Sequence, residues 1–157
     1  QPPQRIVLII QMDGFAFLAE RLPVPSWLQE ALEQVTDRTP IIVQAALQAI
    51  RGGQPCEVAV QTLRLLVDIL ADEAANLALK TLALGGLYIG GGFAARIEPF
   101  IAPTRFLEIF CRGTYRQMLA RIPVHVIANP HTALQGAAAF AIQAMERKST
   151  PATPGQN

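Results

Sequence analysis

The sequence predicts an α/β fold, helix-rich with a small parallel sheet. Two short apolar runs read as strands, Leu87-Tyr88-Ile89 and Val124-His125-Val126-Ile127, and they lie too far apart for a hairpin. Helical stretches precede, separate and follow them, which is the pattern of parallel neighbours joined by a crossover. Between Pro55 and Leu84 neither Gly nor Pro occurs, so one long helix is expected to anchor the rest.

In order along the chain, Gln1 to Gln4 is a polar, Pro-containing lead-in. Arg5 to Gln11 carries Ile6-Val7-Leu8-Ile9-Ile10, readable as a strand, a buried helix end or the artefact of a chain boundary. Phe15 to Arg21 reads as a helix stopped by Pro23 and Pro25. Ser26, with Gln29 three residues on, has the spacing of a capping box, and Trp27, Leu28, Ala31, Leu32 and Val35 form the apolar face behind it. Thr39-Pro40 opens a helix to Ile50 that Gly52-Gly53 ends. On the long helix Glu57, Gln61, Arg64, Asp68, Asp72 and Lys80 make a wet stripe. Val58, Leu63, Leu66, Leu70, Leu77 and Leu79 lie largely off that stripe and are expected inside.

The run Leu84-Gly85-Gly86-Leu87-Tyr88-Ile89-Gly90-Gly91-Gly92-Phe93-Ala94-Ala95-Arg96 organises the remainder. A strand is entered through one glycine pair and left through three consecutive glycines. Such a bare exit either lets a flat ligand or a backbone approach closely, or makes a tight turn packing strand on helix. Short helices are expected over Arg96 to Ile101, Pro103 to Phe110 and Tyr115 to Arg121. Pro123 to Ala128 follows as the second strand, Asn129 to Thr132 as a turn and Ala133 to Arg147 as an Ala-rich helix. Residues 1–148 thus form one unit, and the Pro/Ser/Thr/Gly stretch 149–157 is expected to be a disordered tail. Two strands are few for a free-standing sheet, which points to a partner portion. The chain also begins at Gln1, as a piece of a longer protein would, and as processing or trimming would also leave it.

Composition narrows the function. The 157 residues are 51% hydrophobic and 16% charged, with a net charge of +1, so no overall field draws in nucleic acid or an acidic membrane. Arg96, Arg105, Arg112, Arg116 and Arg121 against Glu98 and Glu108 read as a solvated helical face. Cys56 and Cys111 lack zinc-ligand spacing, no signal peptide or spanning run is legible, and a reducing cytoplasm is the expected location. His125 on a strand and His131 in a turn read as packing or surface residues. Asp68, Asp72 and Glu73 read as an acidic helix edge. Ser26 and Ser149 have no Asp/His arrangement to activate them, and Phe93, Phe100, Phe106 and Phe110 read as core. No catalytic or metal-binding residue is assigned.

Gly90-Gly91-Gly92-Phe93-Ala94-Ala95 fits a dinucleotide fingerprint, G-x-G-x-x-A after a strand. Pro99 and Pro103 cut the helix that would receive the pyrophosphate, and the next strand ends in Ala128-Asn129 instead of an acidic residue. Four blocks in register fit another reading: Glu73-Ala-Ala-Asn76-Leu-Ala-Leu-Lys80, Gly85 to Arg96, Arg121-Ile-Pro-Val-His-Val-Ile-Ala128-Asn-Pro and Ala133-Leu-Gln-Gly136-Ala-Ala. Together they resemble the C-terminal part of bacterial glucokinase, from about residue 39 to 147 and more faintly from Arg5.

The resemblance implies an actin-like, ribonuclease-H-like ATPase fold of two domains around a cleft. It also implies transfer of the ATP γ-phosphoryl, with Mg²⁺, to the 6-hydroxyl of glucose. The family's glycine motif lies beside the adenosine, and Gly90, Gly91 and Gly92 match it; Asn76 and Arg96 match positions read as structural. The family's Asp-x-Gly-Gly-Thr hairpin, Gly-Thr-Gly loop, Asn-Asp pair and Glu-Gly-Gly-His sugar contact do not occur in this chain. Its Ser-Gly-x-Gly turn should fall where Leu8-Ile9-Ile10-Gln11 stands, a departure that suggests a truncated or frame-disrupted reading there. Ala75, Ala133 and Gln135 replace residues usual in the family. The implied expectations are a C-terminal kinase portion inactive alone, or a degenerate packing or dimerisation module. Exposed apolar surface should drive self-association, and nothing in the sequence chooses the hexose.

Overall fold

In the computed structural model of the chain, residues 13–101, 103–129 and 131–149 are described. The expectations for Arg5 to Gln11 and for the tail after Ser149 lie outside them. Helix α1 is described over 13–19. It is followed by α2 (Ser26–Glu33), α3 (Thr39–Ile50), α4 (Glu57–Thr81), β1 (Leu87–Ile89), α5 (Gly92–Ile97) and a 3₁₀ turn at Glu98–Phe100. Then come α6 (Pro103–Phe110), α7 (Arg116–Leu119), β2 (Val124–Val126) and α8 (Thr132–Ser149). Helices alternating with a parallel pair of strands fit the α/β class.

Local chemistry sets most of these ends. Ser26 is not a cap: Pro25 holds the cap position, and its carbonyl accepts from the N–H groups of Leu28 and Gln29 at 3.0 and 3.1 Å. No side chain caps this helix start. Val35, expected on the apolar face of α2, lies beyond its end and is exposed. At the end of α3, Gly53 N–H reaches the Gln48 carbonyl (2.9 Å) and Gly52 N–H that of Ala49 (3.3 Å). Gly52 sits at φ +82°, so this is a Schellman stop built on the residue type that tolerates it.

Helix α4 is the spine. Val58, Ala59, Leu63, Ala71 and Ala78 are fully buried along it, and α3 and α6 pack on it. Thr62, 1% exposed, satisfies its hydroxyl by donating to the Val58 carbonyl at 2.7 Å. Leu77, expected inside, is 54% exposed, because the small residues Ala74, Ala75 and Ala78 take the inward positions of that turn. The helix closes with Ala83 N–H on the Ala78 carbonyl (3.1 Å), and Leu82 holds the left-handed position at φ +49°. A leucine there carries a steric cost of roughly 1–2 kcal/mol, and its side chain stands in solvent. Leu82→Gly should therefore stabilise the fold by about 0.5–1 kcal/mol, after allowing for the greater freedom of an unfolded glycine. A raised midpoint in urea melts checks it; an unchanged or lowered one refutes it.

The strands pair in parallel, Leu87 with Val124, Tyr88 with His125 and Ile89 with Val126. The ladder continues outward through Leu87 N–H to the Pro123 carbonyl and Ile127 N–H to the Ile89 carbonyl. Ile89 points into the core, while Tyr88 and His125 share the outer face. Helix α5 begins at Gly92, four residues before the expected start at Arg96, so the third glycine is already helical. On α6 the rings of Phe106 and Phe110 stack at 6.1 Å, and both are buried. Phe100 is buried as well, whereas Phe93 is only half-buried.

Helix α8 stands apart. Almost all its described side chains are exposed, Leu134, Phe140, Ile142 and Met145 among them. No described helix is long and apolar enough to cross a membrane.

Candidate functional site

The three glycines at the exit of β1 have different surroundings. A Cβ on Gly90 would lie 3.0 Å from Ile127 Cδ1, so this position is bare because the neighbouring strand's exit packs against it. Gly91 takes φ +110°, which a side chain rarely allows, and makes the turn from strand to helix. Nothing lies within 4 Å of a Cβ built on Gly91 or on Gly92. The packing-turn and open-approach readings of the sequence are thus divided between residues. Gly90 is packed, Gly91 turns the chain, and Gly91 with Gly92 leaves an open ledge.

Two grooves are lined in part by β1 or by α5. One, about 410 Å³, runs between α4 and β1 and is lined by Leu70, Glu73, Ala74, Leu77, Leu87, Tyr88, Ile89 and Gly90. Its walls are mostly apolar. The other, about 460 Å³, runs between α3 and α5 and is lined by Pro40, Val43, Gln44, Leu47, Gln48, Arg51 and Arg96. It carries two guanidinium and two amide groups over an aliphatic floor, with no carboxylate in its wall. Arg96 stands one helical turn along α5 from Gly92. That mixture suits an anionic ligand with a flat apolar part. Gln44, Gln48 and Arg51 as neighbours of Arg96 were not legible in the sequence, since an i, i+4 pair of glutamines is ordinary helix surface.

The other titratable residues are structural. The Arg105 guanidinium grips the Asp68 carboxylate with two parallel hydrogen bonds, Nε to Oδ1 at 2.7 Å and Nη2 to Oδ2. That carboxylate raises the Arg105 pKa further. Arg112 forms an ion pair with Asp72, one turn further along α4. The arginine face read from sequence as solvated is exposed, and two of its members, Arg105 and Arg112, also reach Asp68 and Asp72 of the acidic edge, linking α6 and its exit to α4. Asn76 finds Glu73 on its own helix at 3.4 Å. His125 stacks on Tyr88 with ring centroids 5.0 Å apart, and the His131 N–H donates to Asn129 Oδ1 at 2.9 Å in a turn. Cys56 and Cys111 are buried, and burial pushes both thiols up, so neither is a ready thiolate at neutral pH.

Two groups implied by the resemblance can be set against these residues. The ledge of Gly91 and Gly92 is bare and open, with nothing within 4 Å of a Cβ built on either, so it leaves room for a flat group such as an adenosine. Mg²⁺ finds no such fit: among the described residues no three His, Cys, Asp or Glu side chains cluster to hold a metal ion, and Asp68 and Asp72 are held by arginines.

A sequence model of the family described as Glucokinase matches residues 16–144. The chain is 43% identical over 118 residues to a glucokinase of Trichormus variabilis, covering 73% of this chain and 33% of that protein. It is 41% identical over 143 residues to a glucokinase of Nostoc sp., covering 86% of this chain and 40% of that one. A Synechocystis sp. glucokinase is 34% identical over 119 residues, 75% of this chain and 33% of its own length. The chain thus spans between a third and two fifths of these curated relatives. No solved structure matches it significantly.

Proposed function

This chain belongs to the glucokinase family, and on that premise we propose that it forms the adenosine side of an ATP cleft in a glucose kinase. The observation that carries the reading is the open ledge at Gly91 and Gly92 beside a groove with two arginines and no carboxylate. An adenosine laid on the ledge would meet bare backbone, and Arg51 and Arg96 would face the anionic part of the nucleotide. The finer fold reading, residues 1–148 as the C-terminal part of an actin-like, ribonuclease-H-like ATPase domain, is proposed on the same family ground.

In such an enzyme ATP supplies the phosphoryl group to the glucose 6-hydroxyl, with Mg²⁺. This chain's own residues bind and orient the nucleotide. No Asn precedes an Asp and no Glu precedes a Gly in the sequence, so the motifs for taking the hydroxyl's proton and holding the sugar are not among its residues. Alone it is expected to bind nucleotide without turning it over.

The test is calorimetric titration with ATP, with ADP as competitor, on the chain and on Gly92→Leu. The new Cβ enters open space at an ordinary φ, so the fold should keep its melting temperature. Binding should weaken at least about tenfold, the equivalent of roughly 1.4 kcal/mol. Gly91 is the poorer probe because its φ strains any replacement. Absence of heat, or binding indifferent to Gly92→Leu, refutes the ledge as the adenosine site and leaves family membership intact. A second role, as a packing or self-association module, is favoured by one observation: the apolar face of α8 is uncovered.

A further inference from the structure

The ledge of Gly91 and Gly92 has little of its own to hold it. Glycine has the freest backbone of any residue, three stand in succession here, and Gly91 pivots at φ +110°. Among the described residues, nothing lies within 4 Å of a Cβ built on Gly91 or Gly92. The residue before the pivot is held differently. The register that pairs Ile89 with Val126 sets Gly90 beside Ile127 one step on, and alternation along the strands puts both on the outer face with Tyr88 and His125. There the Ile127 side chain fills the space over the bare glycine: a Cβ on Gly90 would stand 3.0 Å from Ile127 Cδ1 and 3.7 Å from its Cβ and Cγ1. The Ile127 N–H also donates to the Ile89 carbonyl at 2.8 Å, one residue short of the glycines. Beyond the pivot, the Ala95 N–H reaches the Gly91 carbonyl at 3.3 Å as α5 begins.

We propose that Ile127 is a positioning residue for the adenosine ledge. Through Gly90, and not through a contact with nucleotide, its side chain fixes the direction in which Gly91 and Gly92 leave the strand. The binding half of this inference rests on the adenosine reading of the ledge, whereas the clamp on Gly90 rests on strand geometry alone. Glycine has no side chain with which to pack for itself, so the contact is supplied wholly from the exit of the neighbouring strand. Cutting Ile127 back to its Cβ returns to Gly90 the backbone conformers that the branched side chain excludes. A nucleotide would then have to order the ledge as it binds. Re-ordering the backbone of one residue corresponds to about 5- to 30-fold in affinity.

The experiment compares the full chain with Ile127→Ala and Ile127→Val by ATP titration, by solvent exchange of the Ala95 amide in NMR, and by urea melts. Ile127 is only half-buried, so both variants should fold. Ile127→Ala should weaken ATP by that factor. It should also speed exchange at Ala95, whose hydrogen bond reports where the Gly91 carbonyl stands, beyond any change at amides in the middle of α4, which follow global stability. Ile127→Val keeps the branched carbons beside Gly90 and lacks only Cδ1, so it should stay close to the parent in both readings. A lowered urea midpoint with ATP affinity and relative Ala95 exchange unchanged overturns the proposal, because Ile127 would then be ordinary packing. Faster Ala95 exchange with unaltered ATP affinity overturns its part in binding. If the parent itself binds no ATP, the adenosine reading fails, and Ala95 alone decides the clamp: faster exchange in Ile127→Ala upholds it, and equal exchange overturns it.

Discussion

Phe110→Ala should lower the folding free energy by about 3–5 kcal/mol. Phe110 is fully buried at the end of α6, stacked on Phe106, where α6 packs against α4. The ring lies where α6 meets the long helix α4, and the fixed geometry of two packed helices limits how far the backbone can close over the missing ring. The loss therefore combines transfer of the ring with an uncollapsed cavity. Since domains of this kind are stable by roughly 5–15 kcal/mol, at least about a fifth would be removed. Urea denaturation reads it as a lower midpoint at unchanged slope. Leu107→Ala on the same helix, a residue 45% exposed, should cost far less. A Phe110→Ala shift no larger than that of Leu107→Ala would show that α6 is not part of the core.

The second large effect is kinetic. In a coupled assay with saturating glucose and ATP, the chain alone should form no glucose-dependent ADP above the blank. A positioned general base contributes typically 10²–10⁴-fold, and fixed donors at the transferring phosphoryl contribute at least as much. Neither set of motifs stands in this sequence. Mixing with a co-expressed N-terminal portion of the Nostoc sp. glucokinase should raise the rate by at least about 10²-fold. Gly92→Leu in the mixture should lower it again through a weaker ATP KM. Turnover by the chain alone would overturn the proposed division of labour.

What could be read in advance was what local rules decide. Thr39-Pro40, Gly52-Gly53 and the Gly- and Pro-free stretch before Leu84 gave α3 and α4 nearly to the residue, because caps and breakers act within one turn. The parallel pairing followed from the separation of two apolar runs. Pairings between elements were not legible. Asp68 and Asp72 stand one turn apart and Arg105 and Arg112 two turns apart, yet nothing in either spacing says that they meet. Leu77 points outward because three neighbouring alanines fill the interior, a choice of tertiary packing over pattern. The start of α5 was misplaced because glycine disfavours helix, whereas a first-turn glycine costs little when its N–H is free in any case. The glycine ledge was legible as a stretch. The split between Gly90, packed on Ile127, and its open neighbours required coordinates.

Pairing Leu87 with Val124 closes a long excursion of chain, whereas α3 meets α4 across a short connection. Closing the longer loop has the greater entropic cost and is met late. The helical spine should consequently assemble first and the two strands zip last. In hydrogen–deuterium exchange the amides of Leu87 and Ile127, which cap the ladder at its two ends, would lose protection well before those in the middle of α4. The junction that carries Gly91 and Gly92 hangs from this late-forming ladder, so its geometry would be the part of the molecule most easily loosened by warming.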